Sequence, residues 1–499
     1  MAGLFDALGT ATRGLQVVQR GLATAGHNIA NAETPGYSRQ RAVLQSAPAQ
    51  PDATGLIGSG VEQVSIERII DRFVGLRLIN ETSRRASLET ESSIYREVES
   101  VVNDQLANGL TSKLTGFFDA LDDLANAAEP GQGVARGQVL AAAETLVDTV
   151  QRVDSQLRGL QRDADRGITA MLPEINSITS EIARLNGEIA EAEAIAPAND
   201  LRDQRDRLVL DLAEKFEIVS SEDEDGMVAI RLAGGVPLVS KRIASELVAV
   251  VDPADLNAFD PTFSQVHFRG SGSSFDATSL LKGGELGGLI EARDGIIAGV
   301  IRDLDAVVFT LSESFNSVHR GGLGLDDGAA HDFFTDLSGQ TTVDDSARNF
   351  GIAADIDPDQ GGSLGNIAAG AVPNPVTGGP EAAPGDTAWV EELKNLRTLK
   401  VTNYLAGDTT GSPTGSSISV MGRLVNVVGD IGQNARSTSR ALEQQEAVLS
   451  SLQDRRDSIS GVSIDEEVAN LVQLQANFQA NARVVTTVNF LMQALLDAL

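Results

Sequence analysis

The first 34 residues read MAGLFDALGTATRGLQVVQRGLATAGHNIANAET, and they place Leu4, Leu8, Ala11, Leu15, Val18, Leu22, Ala25 and Ile29 at steps of four and three without a slip. Alternation sustained this far marks a helix whose apolar seam packs on a second helix. The other end of the 499-residue chain repeats the pattern with Ile464, Val468, Leu471, Gln475, Phe478, Ala482, Val485, Asn489, Met492, Leu496 and Leu499. A second stripe, Val484, Val488, Leu491 and Leu495, makes the last turns apolar on more than one face. A helix of that kind must be covered by more than one neighbour. The two ends are therefore predicted to pair as a coiled coil, either as an intramolecular pair alone or as one that also packs against other subunits of a polymer. Leu8, Leu15, Leu22, Ile29, Leu471, Phe478, Val485 and Met492, with the second stripe, are the candidate interface positions.

Further seams lie inward. Leu146, Val150, Val153, Leu157, Leu160, Ala164, Ile168, Met171, Ile175, Ile178, Ile182, Leu185 and Ile189 keep the alternation with one extra step of four, a stutter. Pro173 is expected to kink or restart that helix. Shorter seams run from Leu110 to Leu124, stopping near Glu129-Pro130-Gly131, and from Ile297 to Val318. A long one runs from Met421 to Ile459. Residues 215–270 instead show short β-type runs between turn clusters such as Asp223-Glu224-Asp225-Gly226. Residues 322–388 are dense in Gly, Pro, Asp and Ala and predict loop with fragments of strand.

The expected fold is mainly α with β insertions, a long antiparallel helical rod with smaller β-rich parts inserted mid-chain. The predicted division is 1–60 with 462–499 as a terminal helical assembly domain, and 61–214 with 286–461 as the rod. Residues 215–285 form an inserted β-rich domain, and 322–390 a loop and strand insertion.

Charge narrows the function classes. Thirty-nine Lys and Arg face 70 Asp and Glu, a formal net charge of −31. That balance opposes binding to nucleic acid or anionic lipid, which want clustered cations. The ends are nearly neutral, so the acidic surface belongs to the middle. There is no cysteine, which excludes thiol nucleophiles, disulfides and thiolate metal sites. No apolar run approaches the ~20 residues of a membrane span. Arg13 and Arg20 interrupt the N-terminal apolar stretch, so no cleaved signal peptide is expected.

Candidate chemistry is sparse. His27, His267, His319 and His331 stand at no metal-ligand spacing, and His27 reads as a packed residue. Gly283-Gly284-Glu285-Leu286-Gly287-Gly288 lacks the lysine of a phosphate loop and suits a flexible lead into a helix. Asp355, Asp357 and Asp359 alternate as calcium ligands can. Gly361 falls one place late, Pro358 stiffens the loop and no bidentate Glu follows, so a solvated turn is preferred. Asp223–Asp225 and Asp326-Asp327 read likewise. Neither a catalytic constellation nor a cofactor is predicted.

The segment His27-Asn28-Ile29-Ala30-Asn31-Ala32-Glu33-Thr34-Pro35-Gly36-Tyr37-Ser38-Arg39-Gln40 ends a helix in a tight turn. Pro35 presets the first corner and Gly36 supplies the positive φ of the second. The run from Asn28 through Asn31, Pro35, Gly36 and Tyr37 resembles the N-terminal signature of the bacterial flagellar axial proteins, that is, rod, hook and hook-associated subunits. Ser38-Arg39-Gln40 is similar to the hook-associated branch. So are the stretch Asn199–Asp206, the Gly-rich lead into the 289–318 helix, Asp332-Phe333-Phe334, and Gly461–Leu471 near the C-terminal end. His27 departs from the pattern, where a small polar residue is expected.

The resemblance implies a non-enzymatic structural subunit, exported through the flagellar type III apparatus and assembled as a ring or helical polymer outside the cell. It further implies hook subunits on one side, a second junction protein on the other, and an export chaperone at the C-terminal segment. A hook or rod subunit is the alternative within the family, although the long seams at 146–189 and 421–459 are not expected there. An acidic hydrolase in 215–390 is the alternative outside it.

Overall fold

The computed structural model describes residues 2–52, 55–102, 109–127, 132–251, 262–270, 272–326 and 328–497. Glu129-Pro130-Gly131, Asp327 and Leu499 lie outside them, as does 252–261 of the β-rich stretch.

Helix α1 (Ala2–Ala30) leads into strands β1 (Gln40–Ser46), β2 (Gln50–Asp52), β3 (Gly55–Ile57) and β4 (Val61–Arg68). β1 and β4 pair antiparallel from Gln40↔Arg68 to Ser46↔Val61, with a bulge at Val43/Leu44. β2 and β3 pair as an outer hairpin. Sequence periodicity missed these strands. Their burial pattern does not alternate cleanly, so no period-two signal stands out.

The body follows with α2 (Arg72–Val102), α3 (Leu110–Ala125), α4 (Gln132–Glu193) and α5 (Asn199–Lys215). α4 has 62 residues, about 90 Å at 1.5 Å per residue. It runs through Pro173 without restarting, because packing on both sides of the proline outweighs one lost hydrogen bond. Strands β5 (Val219–Glu222), β6 (Val228–Arg231), β7 (Pro237–Ser240) and β8 (Ile243–Ala244) form one antiparallel sheet. β9 (Glu246–Val251), β10 (Ser264–Gly270) and β11 (Ser273–Asp276) form another. Two α4 asparagines meet backbone there as a neighbouring peptide would. Asn176 Nδ2 donates to Leu247 O at 2.8 Å while its Oδ1 accepts from Leu247 N at 2.9 Å. Asn186 does the same with Val228 and also reaches Lys241 O.

Helix α6 (Gly284–Glu291), a π-turn at Ala292–Ile297 and α7 (Ala298–His319) form one near-continuous rod. Gly284 takes φ +61, and a β-carbon there would meet the Lys215 carbonyl carbon at 2.3 Å. The Gly-rich lead thus lets the chain cross over the end of α5. Arg293, in the π-turn, is buried and pairs with Asp165 at 2.6 Å while donating to Ser264 O at 2.6 Å. It ties α4, β10 and α7 together.

Residues 322–400 contain α8 (Ser346–Asn349), α9 (Val390–Asn395) and isolated bridges such as Leu323↔Gly370. β12 (Val401–Thr402) and β13 (Ser417–Ile418) lead to α10 (Val420–Ser460) and α11 (Ile464–Asp497). The loop-rich stretch is no surface appendage. Phe333, Phe334 and Phe350 are fully buried with Phe117 and Phe315, at ring separations of 4.8–5.7 Å. A second core joins the far half of α4 with α5, α6 and the sheets, from Ile168 and Ile175 to Phe216 and Val266.

Candidate functional site at the joint between the terminal helices and the body

Helices α1 and α11 run antiparallel with an even register. A β-carbon on Gly14 would come 2.8 Å from Asn481 Oδ1, and one on Gly21 would come 3.1 Å from Leu474. Asn28 Nδ2 donates to Glu467 Oε1 at 3.2 Å. Each seven-residue step along α1 matches seven residues back along α11, and the two glycines let the backbones approach closely. The same spacing of small residues, Gly14 then Gly21, is the sequence signal that would have found this face.

The predicted α1 seam is at least half-buried throughout, including Leu8, Leu15, Leu22 and Ile29. On α11, Leu471, Phe478, Val485 and Met492 are half-buried and Val488 is buried. The remaining seam positions are Glu467, Leu474 and Asn481, not Val468, Gln475 and Asn489, which are exposed. Val484, Leu491 and Leu495 stay 44–46% exposed. The inward face of α11 is therefore more polar than the sequence reading set it, and several of its largest apolar residues point outward.

Below the pair sits the motif turn. Tyr37 N donates to Thr34 O at 3.1 Å, closing a turn with Pro35 and Gly36 at its corners. Gly36 has φ +79, and a β-carbon there would meet the Arg207 stem at 2.9 Å. Asn31 Nδ2 donates back to His27 O at 3.0 Å, and its Oδ1 accepts from the Thr34 hydroxyl at 3.3 Å, finishing α1.

Asn28 is the hub. Its Nδ2 donates to Gln40 O at 2.9 Å and to Glu467, while its Oδ1 accepts from Gln40 N at 3.0 Å and from Tyr37 Oη at 2.8 Å. All four hydrogen bonds of a buried amide are made. Burial, then Asp200, Asp203 and Glu467, push the Tyr37 hydroxyl up, so it stays protonated as the donor. With its one proton on Asn28, Tyr37 Oη must accept from His27 Nδ1 at 3.0 Å, which fixes the His27 tautomer. An imidazole at this position thus keeps a bond and faces Asp200 at 3.6 Å.

Arg39 closes the far side. Its Nε donates to Glu467 at 2.7 Å, a guanidinium nitrogen donates to Glu466 at 2.8 Å, and its backbone N donates to Ser460 O at 2.8 Å. Burial lowers the Arg39 pKa, but the two glutamates more than offset it. From the body, α5 supplies Asp203, which accepts from Ser38 N at 2.9 Å and Arg68 at 2.6 Å. Burial pushes the Asp203 carboxyl up against the pull of Arg68. Arg68 also reaches Asp206 at 2.9 Å, Gln40 donates to Asp200 at 2.8 Å, and Asn199 donates to Ile66 O at 2.9 Å. The motifs at 27–40, 199–206 and 461–471 therefore meet at one point. Sequence reasoning had them as separate marks and missed the roles of Asn28, Arg39, Asp203 and Glu467.

Among the described residues no group of three or more His, Asp or Glu could hold a metal. Asp357 accepts from Asp359 N and Gln360, and Asp355 faces His331 at 3.1 Å, so these acids are turned to local bonds. The arrangement at the joint can bind and orient helices; it holds no nucleophile beside a base.

Residues 95–334 match the family "Flagellar hook-associated protein FlgK helical domain", and 453–498 match "Flagellar basal body rod FlgEFG protein C-terminal". Flagellar hook-associated protein 1 of Bacillus subtilis is 28% identical, over 100% of this chain and 99% of its own length. That of Salmonella typhimurium is 28% identical over 98% of each. The flagellar hook junction protein FlgK of Burkholderia pseudomallei shares the fold, with TM-score 0.59, 16% identity, and coverage of 77% of this chain and 100% of that one. With alignment running end to end and the motif segments converging on a single joint, the chain belongs to the flagellar hook-associated protein 1 family.

Proposed function

We propose that the chain is a structural, non-enzymatic subunit of the bacterial flagellum that forms the junction between hook and filament and polymerises through its paired terminal helices. The joint carries this reading. It ties α1 and α11 to the body through a hydrogen-bonded network centred on buried Asn28, Asp203 and Glu467, while the outward face of α11 keeps Ile464, Val468, Val472, Phe490, Leu491, Leu495 and Leu496 between 45% and 73% exposed. Exposed apolar clusters at the two ends of that helix ask for neighbours. In this reading 1–60 with 462–499 make the polymer contacts, 61–214 with 286–461 form the rod, and 215–285 with 322–390 are insertions on it.

The partners that fit are further copies in a ring or helical polymer, hook subunits below, a second junction protein above, and an export chaperone on the C-terminal segment before assembly. The site of action is extracellular, reached by export without a cleaved signal. No described helix is long and apolar enough to cross a membrane. Labelling the protein on isolated hook–filament complexes tests the reading. Label at the hook tip is expected; label along the hook or rod would make it another axial subunit.

A further inference from the structure

A pocket of about 450 Å³ opens beside the joint, where α2, α5 and the end of α10 meet. Its apolar lining includes Ile70, Leu76, Ile79 and Leu210, and its rim carries Arg72 and Arg207. The deeper arginines are already in ion pairs, Arg68 with Asp203 and Asp206 and Arg205 with Glu222. Arg72, 76% exposed, pairs with Glu222 at 3.4 Å, and Arg207 forms no ion pair within 4 Å among the described residues. An apolar floor under an exposed, loosely paired Arg72 and an Arg207 without an ion pair within 4 Å suits an apolar helix face flanked by an acid.

The chain carries such a face. Ile464, Val468 and Val472 form one row on the first turns of α11, 47–62% exposed, away from the positions that meet α1. Asp465 stands beside the row, exposed and without an ion-pair partner among the described residues. The two surfaces lie at the same level of the molecule. Ser460 lines the pocket, accepts from Arg39 N, and precedes Ile464 by four residues.

We infer that the pocket receives the Ile464–Val472 face of a second copy of this chain, with Asp465 of that copy set against Arg72 and Arg207. The inference rests on the structural-subunit reading and names the contact it needs. Two different, complementary patches make a head-to-tail interface, which closes into a ring or runs on as a helix rather than stopping at a dimer.

Because the chain has no cysteine, engineered cysteines alone report contact. The double variant Leu76→Cys/Val468→Cys, both at half-exposed positions, is expressed in the flagellated source bacterium. Isolated flagella are treated with a short bismaleimide and run on a denaturing gel. A ladder of dimers, trimers and higher species is expected from this variant. No ladder is expected from Leu76→Cys/Ile195→Cys, whose second site is 92% exposed and outside the proposed contact. Monomer alone, on flagella that contain the protein, overturns the pocket contact and leaves the structural reading standing, as does an equal ladder from the Ile195 pair. Absence of the unaltered chain from the flagella overturns both.

Discussion

The body and the terminal pair are both helical, yet they bury different things. The body closes on Phe117, Phe315, Phe333, Phe334 and Phe350, each under 2% exposed and each touching at least one other ring. The pair closes on Ala11, Val18, Ala25 and two glycines, flanked by half-buried residues such as Leu15, Leu22, Leu474 and Phe478, and the buried residues of α11 are Glu467 and Val488. Large rings removed from water and packed to interior density stabilise by several kcal/mol each. Glycine and alanine contacts allow close approach but remove little area. One region is thus built to be stable alone, and the other to be completed by neighbours.

The sharpest contrast comes from truncating one ring in each region. Phe333→Ala should cost about 3–5 kcal/mol in denaturant unfolding, the range for a buried aromatic. Phe478→Ala, in the half-open seam, should cost under about 1 kcal/mol in the monomer. Equal losses would erase the distinction.

A smaller effect is expected at the joint. Asn28→Ala leaves the Gln40 peptide, Tyr37 Oη and Glu467 without their partner, a loss of about 2–3 kcal/mol for buried polar groups. It should appear as faster amide exchange in α1 and α11 with α3 and α7 unchanged. Global unfolding would mean that the joint is part of the body instead.

In the unaltered protein the smallest net effect is pH dependence, because two opposed groups offset each other, and it belongs to the body. Burial pushes the Asp305 carboxyl up to about 7 from 3.8, against the N–H groups of Asp345 and Ala347 that it accepts. Folding thus favours its protonated form, so its contribution is complete below pH 3.8 and is lost as pH rises through 7. Burial pushes His319 down to about 4 from 6.5; it donates to His331 O and accepts from Ala368 N as a neutral ring. Its contribution is complete above pH 6.5 and is lost as pH falls towards 4. The two slopes oppose each other. Asp305→Asn should therefore leave a protein that loses stability on acidification between pH 6.5 and 4, and His319→Gln one that gains it. Matching pH profiles for the two variants would contradict these assignments.

How much was legible follows the same division. The α1 seam could be read residue by residue because its apolar side is also its inward side. On α11 the reading was rotated, since Val468 and Leu496 are apolar for a face that meets nothing within one subunit, while Glu467 points inward to bonds with Asn28 and Arg39 and Asn481 packs beside Gly14. Periodicity ranks faces by hydrophobicity, and a polymer subunit keeps some of its hydrophobicity outside. Phe333, Phe334 and Phe350 were hidden for another reason. They lie in irregular chain with no period, and only tertiary packing brings them to α3 and α7. The joint was visible as motifs through resemblance, but its hydrogen bonds join residues up to 439 positions apart, which no local pattern encodes.

Amide hydrogen exchange followed by mass spectrometry, on a verified monomer and then on assembled flagella, tests the contrast most directly. The account predicts that peptides from 2–30 and 464–497 exchange well before those from 110–125 and 298–319 in the monomer, and become as protected as the body once assembled. Terminal helices as protected as the body in the free monomer would contradict it.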